Sequence, residues 1–150
     1  MKGVTSNFDL KKYAKDLNLK INYIGFAENL EKTKTKKGDG GYIINLGNDD
    51  IKGTHWTVLI IEKADCIYFD SFGVCPEDFL TKWYGNDNGN VNGHDNDNRI
   101  PFNKKQIQGI TEEFCGQWTI MCLYFLQKKC RGMNLKDRMN FFTSKFKSIN

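Results

Sequence analysis

Leu10, Tyr13, Ala14 and Leu17 recur at helical spacing in LKKYAKDL, with polar residues between them and a capping residue in Asn7-Phe8-Asp9 ahead of them. This predicts an amphipathic first helix of about three turns with one face buried. INYIGFAENL then turns apolar and aromatic, and EKTKTKKGDGG turns lysine-rich and glycine-closed, the composition of a solvated loop. Gly41-Tyr42-Ile43-Ile44-Asn45 reads as a short strand. THWTVLIIE and CIYFDSFG, separated by Lys63-Ala64-Asp65, read as an antiparallel hairpin buried on both faces at the centre of a sheet.

Pro76-Glu77-Asp78 opens a short helix through Phe79, Leu80 and Trp83. NDNGNVNGHDNDN, from Asn86 to Asn98, offers little to bury and reads as an exposed stretch of low complexity. The segment KKQIQGITEEFCGQWTIMCLYFLQKKCRG contains the longest helix candidate, with Trp118, Met121, Cys122, Phe125 and Leu126 spaced for burial and Gly132 as its stop. Almost every side of it is apolar, so it is expected in the core. Asn134, with Asp137 three residues on, caps a last helix through Phe146.

A length of 150 residues with 39% hydrophobic positions suits one domain, residues 1–150, with a single core. No apolar run approaches the roughly 20 residues that cross a bilayer, and charges interrupt the N-terminal segment where a secretion signal needs a continuous apolar stretch. The expectation is a monomer inside a cell or a particle, with no membrane contact. The net charge of +4 permits an acidic partner without naming one. Five cysteines, Cys66, Cys75, Cys115, Cys122 and Cys130, form an odd set without a CxxC pair, against both a disulfide framework and a zinc ribbon. Cys122 and Cys130 read as core residues, and Cys66 and Cys75 as surface ones without an assigned role; no metal site is expected.

Cys115 lies just ahead of the apolar run of the long helix, where unpaired N–H groups and the helix dipole favour a thiolate. A nucleophile of this kind needs a proton acceptor held by a carboxylate. His94 belongs to the Asn/Asp stretch and reads as solvated, which leaves His55 at the start of the hairpin and Asp70 at its end. Antiparallel pairing brings both to one end of the sheet. A two-residue turn at Lys63-Ala64 pairs Thr57 with Asp70 and puts His55 diagonally on the same face; a three-residue turn separates them. An oxyanion needs donors as well, and the Cys115 N–H with Gln106 or Gln108 answers that need.

GTHWTVLIIEKADCIYFDSFG followed by IQGITEEFCGQWTIMCLYFL resembles the adenain family of viral cysteine proteases, which is related to the SUMO-deconjugating proteases. KDLNLKINYIGFAENLEK resembles the family's first helix and the segment after it. The resemblance implies an α+β fold, a central mixed and mostly antiparallel sheet with the nucleophile's helix packed against it. It makes His55 the base, Asp70 its orienting acid where the family has a glutamate, Gln108 the oxyanion side chain and Cys115 the nucleophile. Gln108 is preferred to Gln106 because IQG stands at the family's distance from CG. The interval from His55 to Asp70 is shorter than the family's.

The resemblance further implies cleavage of capsid and core precursors at small, Gly-containing motifs, in the virion and the infected cell. The chemistry requires no cofactor; an activating peptide and DNA are implied by the family, with Lys32, Lys34, Lys36 and Lys37 as the DNA-contact candidates. Two other readings use the same residues differently: a protease for ubiquitin-like modifiers, and a catalytically idle binding module of the same fold.

Overall fold

In the computed structural model, residues 6–33, 37–47, 55–88, 100–108 and 114–147 are described, residues 86–88 by their backbone alone. In chain order the elements are α1 (Asn7–Asp16), β1 (Ile21–Phe26), α2 (Ala27–Lys32), β2 (Gly40–Asn45), β3 (Trp56–Glu62), β4 (Asp65–Phe69), α3 (Asp78–Asn88), α4 (Cys115–Lys128) and α5 (Leu135–Ser144). The strands form one sheet in the order β1-β2-β3-β4. β1 and β2 run parallel, and the β2–β3 and β3–β4 pairs are antiparallel. The fold is α+β with a mixed, mostly antiparallel sheet, as the resemblance implies.

Alternation along the strands gives the sheet two apolar faces. Val58, Ile60, Ile67 and Phe69 face a core completed by Leu10 of α1, Ile120, Leu123 and Leu126 of α4, and Phe142 of α5. Leu59, Ile61, Cys66 and Tyr68 face a second core with Leu30 of α2 and Leu80, Trp83 and Tyr84 of α3. Each fully buried side chain of this size adds on the order of 1.5–3 kcal/mol over an exposed one, so a strand covered on both sides is a rigid platform.

The helix that begins at Cys115, α4, is seated on that platform along its length. β3 and α4 are each about 20 Å long and are tied at both ends. At one end the Trp56 N–H donates to Cys115 Sγ at 3.4 Å, and Thr119 Oγ1 donates to the Trp56 carbonyl at 3.2 Å. At the other, the buried Arg138 guanidinium of α5 donates through Nη1 to the Leu126 carbonyl at 2.6 Å and pairs with Glu62 Oε2 at 2.8 Å. Arg138 thus satisfies a carbonyl that the helix end leaves open and neutralises the negative end of its dipole. In the middle, a Cβ at Gly41 of β2 would stand 2.9 Å from Leu123 Cδ2, so glycine there lets helix and sheet approach closely.

Several expectations are corrected. The hairpin does not form the sheet's centre: β2 and β3 do, and β4 is an edge strand whose open side meets Phe102 in a parallel bridge at Tyr68. INYIGFAENL, left without elements by its mixed pattern, folds as β1 and α2. Met121 is 46% exposed, because it lies on the side of α4 turned away from the sheet, and Leu17, past the end of α1, is 39% exposed. α4 stops at Lys128, ahead of Gly132, because Lys129 is extended and Cys130 takes a left-handed φ of 53°. Cys130 is therefore a half-buried turn residue and not part of the core.

Cys66, expected at the surface, is fully buried under α3. α3 runs on to Asn88, past the start of the Asn/Asp stretch at Asn86. Lys37 departs from the expected solvated loop: it is buried, with Nζ 4.9 Å from the Trp83 ring centroid. Lys32 is exposed at the end of α2; Lys34, Lys36 and His94 lie outside the described residues. Among the described residues no helix is long and apolar enough to cross a membrane.

Candidate active site

The site begins with a turn. Lys63 and Ala64 both take positive φ, 51° and 66°, which makes the β3–β4 connection a two-residue hairpin turn. Neither residue favours that conformation. Two side chains hold it: Asp39 Oδ1 accepts the Lys63 N–H at 2.9 Å, and the Tyr84 hydroxyl donates to the Ala64 carbonyl at 2.9 Å. The turn sets Glu62 against Asp65 and Val58 against Phe69. Continued one pair further, this register puts Thr57 opposite Asp70 and His55 diagonally on the same face, which decides the question the sequence leaves open.

His55 Nε2 meets Asp70 Oδ1 at 2.6 Å, with Asp70 1% exposed. The Phe72 N–H donates to the same oxygen at 2.8 Å, and the Phe72 ring stacks on the imidazole with centroids 4.3 Å apart and planes 9° from parallel. Asn103 grips the Asp70 backbone on both sides, accepting its N–H at 2.8 Å and donating to its carbonyl at 2.7 Å. Imidazole and carboxylate are thus fixed by neighbours as well as by each other. Sequence reasoning gives no role to Asn103 or Phe72. The FG of DSFG is visible in the chain, whereas nothing local marks Asn103.

Cys115 is the first residue of α4, and the preceding Phe114 provides no side-chain cap. The first N–H groups of the helix are therefore available to its sulfur. Burial pushes the Cys115 thiol up, but the bond to His55, the Trp56 N–H, the imidazolium charge and the Gly116 N–H outweigh it and hold the thiol below its ordinary range. Burial pushes His55 down, but the bond to Asp70 and then the interaction with Cys115 prevail and raise it to about 9. Nδ1, the ring nitrogen not used by Asp70, is buried and is left for the interaction with Cys115. Both shifts favour the charged pair, thiolate with imidazolium. The other buried cysteines go the opposite way: burial pushes Cys66 up to about 12 and raises Cys122 well above the ordinary thiol range.

Gln108 is fully buried next to the residue that follows Asp70. Ser71 Oγ donates to its Oε1 at 2.5 Å, and the Ser71 carbonyl accepts the N–H groups of Ile107 and Gln108 at 3.0 and 3.1 Å. Gln106 is a different case, since its Nε2 is spent on the Gln108 carbonyl at 2.8 Å. Residues 109–113, between Gln108 and the helix, lie outside the described ones. Among the described residues, no group of three or more His, Cys, Asp or Glu side chains is placed to hold a metal ion.

Gly73 completes the DSFG turn. Its N–H donates to the Asp70 carbonyl at 2.8 Å and its φ is +74°. A Cβ there would lie 2.9 Å from the Lys104 carbonyl oxygen and 3.1 Å from the Gln106 nitrogen, both backbone atoms. Gly73→Ala therefore strains the turn and pushes the 104–106 segment off Asp70 and Ser71. We expect a stability loss of about 2–4 kcal/mol, from the left-handed penalty and overpacking together, read as a lower urea midpoint; an unchanged midpoint contradicts the close approach.

No family model and no curated protein matches this chain. Its fold does match solved structures. Two crystal structures of the ASFV pS273R protease, one of them selenomethionine-labelled, superpose on 91% of this chain with a TM-score of 0.54, at 12% identity for the labelled form and 13% for the other. The match covers 62% and 61% of those chains respectively, so this chain spans about three fifths of their length. At that identity the likeness is one of architecture: this chain has the α+β fold of a viral protease.

Proposed function

We propose that the protein is a cysteine endopeptidase of the Cys-His-Asp type. The observation that carries this reading is the convergence of three groups: Cys115 at the first turn of α4, His55 with a raised pKa, and Asp70 at 2.6 Å from the far ring nitrogen. In the reaction Cys115 Sγ attacks the scissile carbonyl carbon and the oxyanion takes the Cys115 N–H and Gln108 Nε2. His55 then gives its Nδ1 proton to the leaving amine, leaving a thioester. Water, losing a proton to His55, hydrolyses the thioester and restores the thiolate. Asp70 stays ionised and holds Nδ1 toward the sulfur.

The viral protease fold supports a maturation role, with capsid and core precursors cut at small, Gly-containing motifs in the virion or infected cell. DNA contact falls to the exposed lysine Lys32 together with Lys34 and Lys36. The experiment is a cleavage profile over a peptide library and over ubiquitin and SUMO conjugates, each with and without DNA at two salt concentrations. Cleavage of Gly-containing peptides in preference to conjugates is expected. Exclusive turnover of conjugates would move the assignment to modifier proteases, and activity indifferent to DNA and salt removes the DNA contact.

A further inference from the structure

We propose that Phe72 is a positioning residue of the base: its ring, lying flat on the His55 imidazole, sets the tilt at which Nδ1 faces Cys115. This rests on the protease reading above. The torsion that turns an imidazole about its Cβ–Cγ bond has only a broad preference, so the side chain does not choose its own tilt. The bond to Asp70 chooses it weakly. Nε2 stands nearer the axis of that rotation than Nδ1 does, so a turn of the ring that the Asp70 bond tolerates displaces Nδ1 further. A flat surface against the ring face opposes the rotation directly, and Phe72 provides one, with centroids 4.3 Å apart and planes 9° from parallel.

Phe72 is held independently of the ring it supports. Its N–H donates to Asp70 Oδ1 at 2.8 Å, the oxygen that His55 meets at 2.6 Å, and Gly73 closes the turn by donating to the Asp70 carbonyl at 2.8 Å. The stack therefore belongs to the turn: DSFG carries the carboxylate in its first residue and the platform for the imidazole in its third. The face of a phenyl ring is negative and attracts a cation laid on it, so the same stack favours the charged imidazole over the neutral one. The titratable groups acting on His55 are Asp70 after β4 and Cys115 of α4, and a change of the Phe72 side chain removes neither.

Phe72→Leu and Phe72→Met keep an apolar side chain and the backbone N–H but lose the flat face, whereas Phe72→Tyr keeps all three. On a fluorogenic peptide, kcat/KM should fall about tenfold in either non-aromatic variant, the cost of a misdirected base. The alkaline limb of the pH profile should move toward acid by about half a pH unit. Iodoacetamide labelling of Cys115 should show its acid limb moved toward alkali, because the imidazolium that helps to hold the thiol down is less populated. Phe72→Tyr should restore rate and limbs to near the wild-type values. A side chain that only fills space would shift the urea midpoint and leave both limbs where they are. Limbs unmoved in Phe72→Leu and Phe72→Met, or moved equally in Phe72→Tyr, would overturn the proposal. A wild-type chain that hydrolyses no peptide overturns the protease reading itself, and is told apart because the labelling limb is read without hydrolysis.

Discussion

Cys115→Ala and Cys115→Ser should each lower kcat/KM for peptide hydrolysis by about 10⁴-fold or more, the usual cost of removing the nucleophile from residues that act as a unit. Serine is included because its hydroxyl fits the site yet lacks the acidity on which the charged pair depends. Neither change should unfold the protein: Cys115 is half-buried, and the ties that seat α4 persist through Thr119 at one end and Arg138 at the other. Labelling provides an independent reading. Near neutral pH iodoacetamide should modify Cys115 well before Cys66 or Cys122, whose thiols burial pushes upward while Cys115 is held down. Hydrolysis persisting in Cys115→Ala rejects the nucleophile.

Much of this site could be read in the chain because its chemistry is local to element ends. His55 stands one residue before β3, Asp70 one residue after β4, and Cys115 at the first position of α4. Hydrophobic period locates such ends well. The register that joins His55 to Asp70 could not be read, because it depends on two non-glycine residues held at positive φ by Asp39 and Tyr84, both distant in sequence. Asn103 was invisible for a similar reason: its value comes from 33 residues of separation, and nothing in PFNKK announces it.

The errors in the fold have the same origin. Lys37 reads as a solvated lysine from its neighbours, yet a tryptophan 46 positions away provides a ring to cover it. Cys66 reads as surface because Asp65 precedes it, whereas strand alternation against α3 buries it. β4 reads as central because both of its faces are apolar. Burial of both faces reports helices above and below a strand, and says nothing of whether a further strand lies beside it. Local pattern thus predicts which residues are inside, while which element borders which is settled by long-range pairing.

Asp70→Asn should leave the fold in place and reduce kcat/KM by about 10²- to 10⁴-fold, and it should change the shape of the pH profile as well as its height. In the proposed mechanism the active form carries a thiolate and an imidazolium. As pH falls, activity is lost when Cys115 takes up a proton; as pH rises, it is lost when His55 gives one up, near 9 in the intact pair. The carboxylate is the foremost group holding His55 upward against its burial. An amide in its place removes that support, so His55 loses its proton at a lower pH and the alkaline limb moves toward acid. With the imidazolium less populated, Cys115 loses one of the groups that keep its thiol down, and the acid limb moves toward alkali. The plateau of hydrolysis should narrow from both sides, while iodoacetamide labelling, which needs only the thiolate, should show the shift of the acid limb alone. A variant that loses rate while both limbs keep their wild-type positions would mean that Asp70 orients the ring without tuning its charge.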